Sequence, residues 1–144
     1  MSLAKGCGLL ALIGFIALGG IAYCGYSTYS AMKTEMPLVE SEARAWIEKY
    51  NADQFSELYK SADPQLTGST SESDFITKMT NLKDQFGVLK LGAQVGFNMN
   101  TINNDTKVVC RYDATNEKGG RTAVFTFHKS SGWKLVGFQI QQRL

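Results

Sequence analysis

Among the side chains that acid–base chemistry uses, Asp113, His128, Tyr50, Tyr59 and Tyr112 invite a catalytic reading. A general base must lie within hydrogen-bond reach of a substrate held in a pocket. Asp113 and His128 instead share the polar phase of an alternating pattern with Asn98, Asn100, Arg111, Thr126 and Lys134. That phase points away from a core. His128 is therefore expected on the surface, and Asp113 as a charge partner for Arg111, Arg121 or Lys134. His128 is the only histidine and no Cys/His cluster exists, so neither a zinc site nor any other metal site is expected. The chain has no phosphate-cradling glycine loop after a strand and no Gly-x-Ser-x-Gly, and Gly119-Gly120 reads as a hairpin turn. Cys110 reads as a small core hydrophobe. The expectation is a protein without catalytic residues or cofactor.

The elements that position these side chains begin after a long apolar stretch. No charged residue lies between Lys5 and Lys33, and residues 6–26 are almost wholly apolar. A bilayer core asks for about 20 such residues in a helix. The favoured division is a tail over 1–5, a transmembrane helix over 6–29, a juxtamembrane connector over 30–36 and a folded domain over 37–144. Tyr23, Tyr26 and Tyr29 mark the exit from lipid. Two alternatives stand beside a retained anchor. Gly20-Ile21-Ala22 has small residues at signal-peptidase spacing, and Ile21-Ala22-Tyr23-Cys24 loosely resembles a lipobox. A pilin-like leader is disfavoured, because it places an acid early in the apolar stretch. Gly14 and Gly20 belong to a set of small residues at helical spacing that would let a second helix approach closely. A homodimer or a larger membrane protein is the partner this implies. Lys and Arg flank the span almost evenly, so orientation is weakly specified, with the domain outside the cytoplasm favoured.

The net charge is +2 with acids and bases interspersed, which gives nucleic acid no basic stripe to bind. Only Cys110 lies beyond the apolar stretch, so the domain forms no internal disulfide. Such a domain suits a reducing compartment or a periplasm.

Beyond Pro37 the apolar period is helical. Val39, Ala43, Trp46, Ile47 and Tyr50 form one stripe, with Pro37 in the first turn. Asp53 is expected to cap a short second helix carrying Phe55, Leu58 and Tyr59. Ala62-Asp63-Pro64 is expected to end it, with a loop over 66–69. Ser71-Glu72-Ser73-Asp74 resembles a capping box before a third stripe of Phe75, Met79, Leu82 and Phe86, closed by Gly87. From Val88 onward the period is that of strands: 88–102, 106–114, 121–129 and 133–142. Short Asn-, Gly- and Ser-containing turns join them. Such turns are too short for parallel crossovers. The fold class is α+β, with three helices packed on one face of a bent four-stranded antiparallel meander. Val95, Phe97 and Met99 are expected on the apolar face, as are Val136, Phe138 and Ile140.

The order of elements, with Phe55-Ser56-Glu57-Leu58-Tyr59, Phe86-Gly87-Val88-Leu89-Lys90 and the ending Gly132-Trp133-Lys134-Leu135-Val136-Gly137-Phe138-Gln139-Ile140, resembles the nuclear-transport-factor-two-like superfamily, a cystatin-like cone. It is similar in particular to small bacterial members that are membrane-anchored or secreted. The resemblance covers residues 36–144. It implies a cone whose interior is filled by aromatics or, in carrier-like members, holds a small apolar ligand. Trp46, Tyr50, Tyr59, Phe97 and Phe125 are the candidate ligand-lining residues. Trp133 is out of phase with Val136 and Phe138, and with Leu135 it is the candidate for an exposed patch that meets a partner. The reading is of a non-enzymatic accessory or interaction domain at the cell membrane, with a carrier of small apolar ligands as the alternative.

Overall fold

The computed structural model describes residues 11–13 and 28–143. A short strand, β1 (Ala11–Ile13), precedes helix α1 (Thr28–Asn51), helix α2 (Phe55–Ser61), the single-turn α3 (Pro64–Thr67) and helix α4 (Glu72–Phe86). Four long strands follow: β2 (Lys90–Ile102), β3 (Asp105–Asn116), β4 (Gly119–Ser130) and β5 (Gly132–Gln142). They form one sheet in the order β1-β5-β4-β3-β2, with β2 to β5 as a sequential antiparallel meander. The α+β class and the meander are as the sequence predicts.

Two boundaries differ, besides the single turn α3 at Pro64–Thr67, which makes four helices where the sequence predicts three and a loop. Helix α1 starts nine residues before Pro37, so the residues expected as connector are helical. Residues 28–36 include Ala31, Met32, Lys33 and Glu35, all good helix formers, and the lost backbone bond at Pro37 is the local cost. Glu35 offsets that cost by bonding to Lys129 and Trp133 on the β4–β5 hairpin. The second difference is β1, which pairs antiparallel with β5, Ala11 opposite Ile140 and Ile13 opposite Phe138. Those three residues are extended, where the sequence predicts a transmembrane helix over 6–29. The remainder of that segment, with Gly14, Gly20 and residues 1–10, lies outside the described residues, except for Thr28 and Tyr29 in α1. Among the described residues no helix is long and apolar enough to cross a membrane.

Each helix buries the stripe its sequence sets out. Val39, Ala43, Trp46, Ile47 and Tyr50 of α1 are buried, as are Phe75, Met79, Leu82 and Phe86 of α4. Ser71 caps α4, its hydroxyl accepting from Asp74 N at 3.2 Å, and Gly87 ends it with φ 68°. Asp53 caps nothing. It stands at φ 59°, and its carboxylate accepts from Lys83 Nζ at 2.9 Å. The same ammonium donates to the carbonyls of Tyr50 and Asn51, so Lys83 closes the C-terminus of α1. Asn51 then imitates a strand: its side chain donates to Leu89 O at 2.8 Å and accepts from Leu89 N at 2.9 Å. That pair fixes where the sheet begins.

The β2–β3 turn is Asn103-Asn104, both at positive φ (50° and 64°), the geometry of a two-residue hairpin. Two bulges shift the phase of side chains. In β2 the register slips on either side of Gln94, which turns Val95 outward to 54% exposure against expectation. In β5 it slips opposite Thr126 and Phe127, where Phe127 pairs with Leu135 and Thr126 with Gly137. Val136 is the extra residue. An extra residue reverses the phase of everything before it. Trp133 and Leu135 therefore join Phe138 and Ile140 in the core, and Val136 does not belong to that cluster.

Candidate functional site

The centre of the domain is a set of interlocked rings. Trp46 of α1 lies 4.2 Å from Phe138 between ring centroids, stacks on Tyr50 at 5.9 Å and meets Phe125 edge-on at 5.8 Å. Phe138 also lies 4.9 Å from Phe125. Such contacts are favourable beyond the area they bury. Of the predicted ligand-lining residues, the structure brings Trp46, Tyr50 and Phe125 together. Tyr59 stands apart against Phe75, its hydroxyl donating to the carbonyls of Thr67 and Thr70. Phe97 is partly buried at the margin, on β2. Tyr50 donates to Gly87 O at 3.1 Å, and burial, with Asp53 nearby, raises its pKa. Burial likewise pushes the Cys110 thiol up to about 12 and raises Tyr112. A thiol held neutral is no nucleophile, which agrees with Cys110 as a core residue.

Beside the rings, α1, α2 and the β4–β5 hairpin leave a cleft of about 70 Å³. Trp46, Leu58, Phe127 and Leu135 make its apolar floor, with Trp133 alongside; Glu42, Lys49 and Ser61 contribute the polar lining. Ligand pockets for drug-sized molecules are several times larger. Trp46 is 5% exposed, yet its indole Nε1 has no hydrogen-bond partner among the described residues. The Tyr112 hydroxyl is in the same position.

Two polar clusters tie the sheet to the segments before it. His128 is not the solvated residue the alternation predicts. Its Nδ1 lies 2.7 Å from Asp63 Oδ2, and its Nε2 bonds Asp105. Asp63 is itself buried: Oδ1 caps α3 by accepting from Gln65 N at 2.9 Å, and its backbone N–H donates to Leu135 O. Both ring nitrogens thus face carboxylates, and neither is open to take a proton from a substrate. The signal for this was Asp63 before Pro64, a helix-starting pair rather than the helix end the sequence reading predicts. Asp105 and His128 could not be matched to it from spacing, being 42 and 65 residues away.

The second cluster is Glu35, Lys129 and Trp133. Trp133 Nε1 donates to Glu35 Oε2 at 2.8 Å, Lys129 bonds the other oxygen, and the ammonium sits 5.7 Å from the Trp133 ring centroid. The hydrogen bond from Lys129 holds the Glu35 carboxyl below its usual range, against a smaller opposing effect of burial. Trp133 is 7% exposed and Leu135 3%, so the expected exposed patch is absent, and the β5 bulge is the reason. Asp113 pairs with Arg143 rather than with the arginines and lysine expected. Among the described residues no group of three His, Cys, Asp or Glu side chains is placed to hold a metal ion.

No family model matches the chain, and no curated protein does. Among solved structures, that of Bdellovibrio bacteriovorus Bd1075 is similar over 85% of this chain, at 11% identity and a TM-score of 0.49. This chain spans 45% of the length of that one, and so distant a likeness carries no functional argument.

Proposed function

We propose that this chain is a bacterial, membrane-anchored interaction domain without enzymatic activity, held at the outer face of the cell membrane, and a cone of the nuclear-transport-factor-two-like superfamily. The single observation that carries the non-enzymatic reading is the filled interior. Trp46, Tyr50, Phe125 and Phe138 occupy the volume a substrate chamber would need, and the cleft beside them holds about 70 Å³. The alternative, a carrier with its ligand in the cone, requires those rings to move apart. The long meander under helices supports the superfamily reading. The anchor rests on the charge-free stretch between Lys5 and Lys33. Its rival is the pairing of Ala11–Ile13 with β5, because one segment cannot cross lipid as a helix while lying on a sheet edge.

The surface that suits a protein partner is β2. Val95 and Ile102 are exposed on it, and no charged residue lies between Lys90 and Asp105. Strands at a sheet margin are commonly guarded by charge. The test is a mild-detergent pull-down with the full chain, alongside alkaline extraction of membranes. Expected are retention in the membrane pellet and a partner, another copy included, that Val95→Glu releases. A chain that washes off with carbonate removes the anchor, and one that stays alone with or without Val95→Glu removes the interaction role.

A further inference from the structure

We propose that the outer face of the sheet, turned away from the helices, is the docking site for the chain's own apolar residues 14–27. The inference rests on the stretch that the anchor reading uses, and gives that stretch a place when no bilayer is at hand. The carrying observation is burial with no described neighbour to account for it. Along β4 and β5 the side chains that alternate with those of the core point to the outer face. Val124 and Thr126 are each 4% exposed there, and Gly137, paired with Thr126, is buried too. Val136, the spare residue beside them, is 5% exposed. Val124 and Val136 do not belong to the cluster that the helices cover. The burial is local. Across one row of the sheet it fades from Gly137 and Thr126, both buried, through the half-buried Val109 on β3 to the exposed Asn98 on β2.

That gradient says the cover enters from the β1 side. There Ala11–Ile13 pair with β5, and their register, with Ile13 opposite Phe138, aims the following residues at Gly137 and Val136. Residues 14–27, which lie outside the described residues, end at Thr28, the start of α1. Glu35 of α1 in turn bonds Trp133 near the tip of the β4–β5 hairpin. Both ends of the stretch therefore lead to the covered patch. At about 3.3 Å per extended residue it easily crosses from β5 to β4, strands about 5 Å apart. Its chemistry matches the patch, with no charge and with Phe15, Ile16, Leu18 and Ile21. Thr126 Oγ1 is buried and has no partner among the described residues, where water or a polar cover would have supplied one. Sheet and lipid exclude each other as homes for this stretch, so its entry into a bilayer bares the face.

Cys24 makes the docking readable. The full chain is made without lipid or detergent and carries Cys7→Ser, so that Cys24 is the reactive thiol of the stretch; Cys110 is buried in the core. Gln139→Cys adds a second thiol on the outer face beside Val124, and Glu57→Cys adds one on the exposed side of α2 as the control. A short bis-maleimide then joins thiols that lie near each other. Expected are a monomer in solution and a link within one chain that forms at least about tenfold faster with Gln139→Cys than with Glu57→Cys, the effect of a raised local concentration. Lys134→Cys, half-buried on the same face, is the reporter if Gln139→Cys fails to fold. Vesicles of phosphatidylethanolamine and phosphatidylglycerol are added last, and the chain should float with them and lose the link. Equal linking at both positions, a link between two chains, or aggregation of the lipid-free chain overturns the proposal. A chain that keeps its link and does not float upholds the docking and removes the anchor instead.

Discussion

The sheet has two unlike halves. Along β4 and β5 nearly every core-facing side chain is sealed, with Phe125, Phe127, Phe138 and Ile140 at most 2% exposed. Along β2, at the other margin, Met99 alone is buried, and Val95 and Ile102 stand out in solvent. One sheet spans both, its ladder broken only at the two bulges. Hydrogen bonding gives the sheet its extent, but burial decides where its stability resides. Helix α1 reaches the dense half with rings and the open half with a guanidinium: Arg44 donates to the carbonyls of Leu91 and Gly92, at 3.3 and 3.1 Å.

The contrast breaks first at Phe138. Phe138→Ala removes a ring that touches Trp46, Tyr50 and Phe125. It should cost about 3–5 kcal/mol in urea unfolding, a large share of a small domain's stability. A cost near that of a surface change would mean the rings are not the keystone.

Next is the clip at the edge of the dense half. Asp63→Ala should cost about 2–3 kcal/mol, since it strips His128 and the N-terminus of α3 of a charged acceptor. Because both changes delete one bond, Asp63→Ala with His128→Ala should cost clearly less than the sum of the two singles. Simple additivity would show that the two side chains do not support each other.

A third test is alkaline. Burial pushes the Cys110 thiol up to about 12 in the fold, well above the unfolded value of about 8.5. A group whose folded pKa is raised contributes fully below the unfolded pKa and loses that contribution as pH rises toward the folded one. Tyr50 and Tyr112 are raised as well and act in the same sense at higher pH. Stability should fall by about 1–2 kcal/mol between about pH 8 and about pH 10, and Cys110→Ala should remove most of that slope. The smallest effect belongs to the open half: Val95→Thr should move the unfolding midpoint by no more than about 0.5 kcal/mol. A larger shift there would mean that β2 is covered.

The helical stripes, the Ser71 cap, Gly87 and the four strands with their turns were legible because each is a local pattern with a local cause. The errors have two physical types. A two-residue period cannot show a bulge, so Trp133, Leu135 and Val95 were placed on the wrong face. Nor can spacing show a tertiary tie. Asp53 reads as a helix cap until Lys83 arrives from α4, and His128 reads as a surface residue until Asp63 and Asp105 meet it. The cleft was half visible. Trp46 was singled out, but that its indole nitrogen would be left without a partner depends on how α1, α2, β4 and β5 pack.

The spare residue at Val136 gives the β4–β5 hairpin an unequal response to chain length. Losing that one codon would leave Leu135, Gly137 and Phe138 in an unbroken ladder opposite Phe127, Thr126 and Phe125, with Trp133 and Leu135 still facing inward. Gaining one more codon there would turn the hairpin tip over and carry Trp133 away from Glu35 and Leu135 out of the interior in a single step. A deletion should therefore be the milder change, and an insertion should act like several core mutations at once.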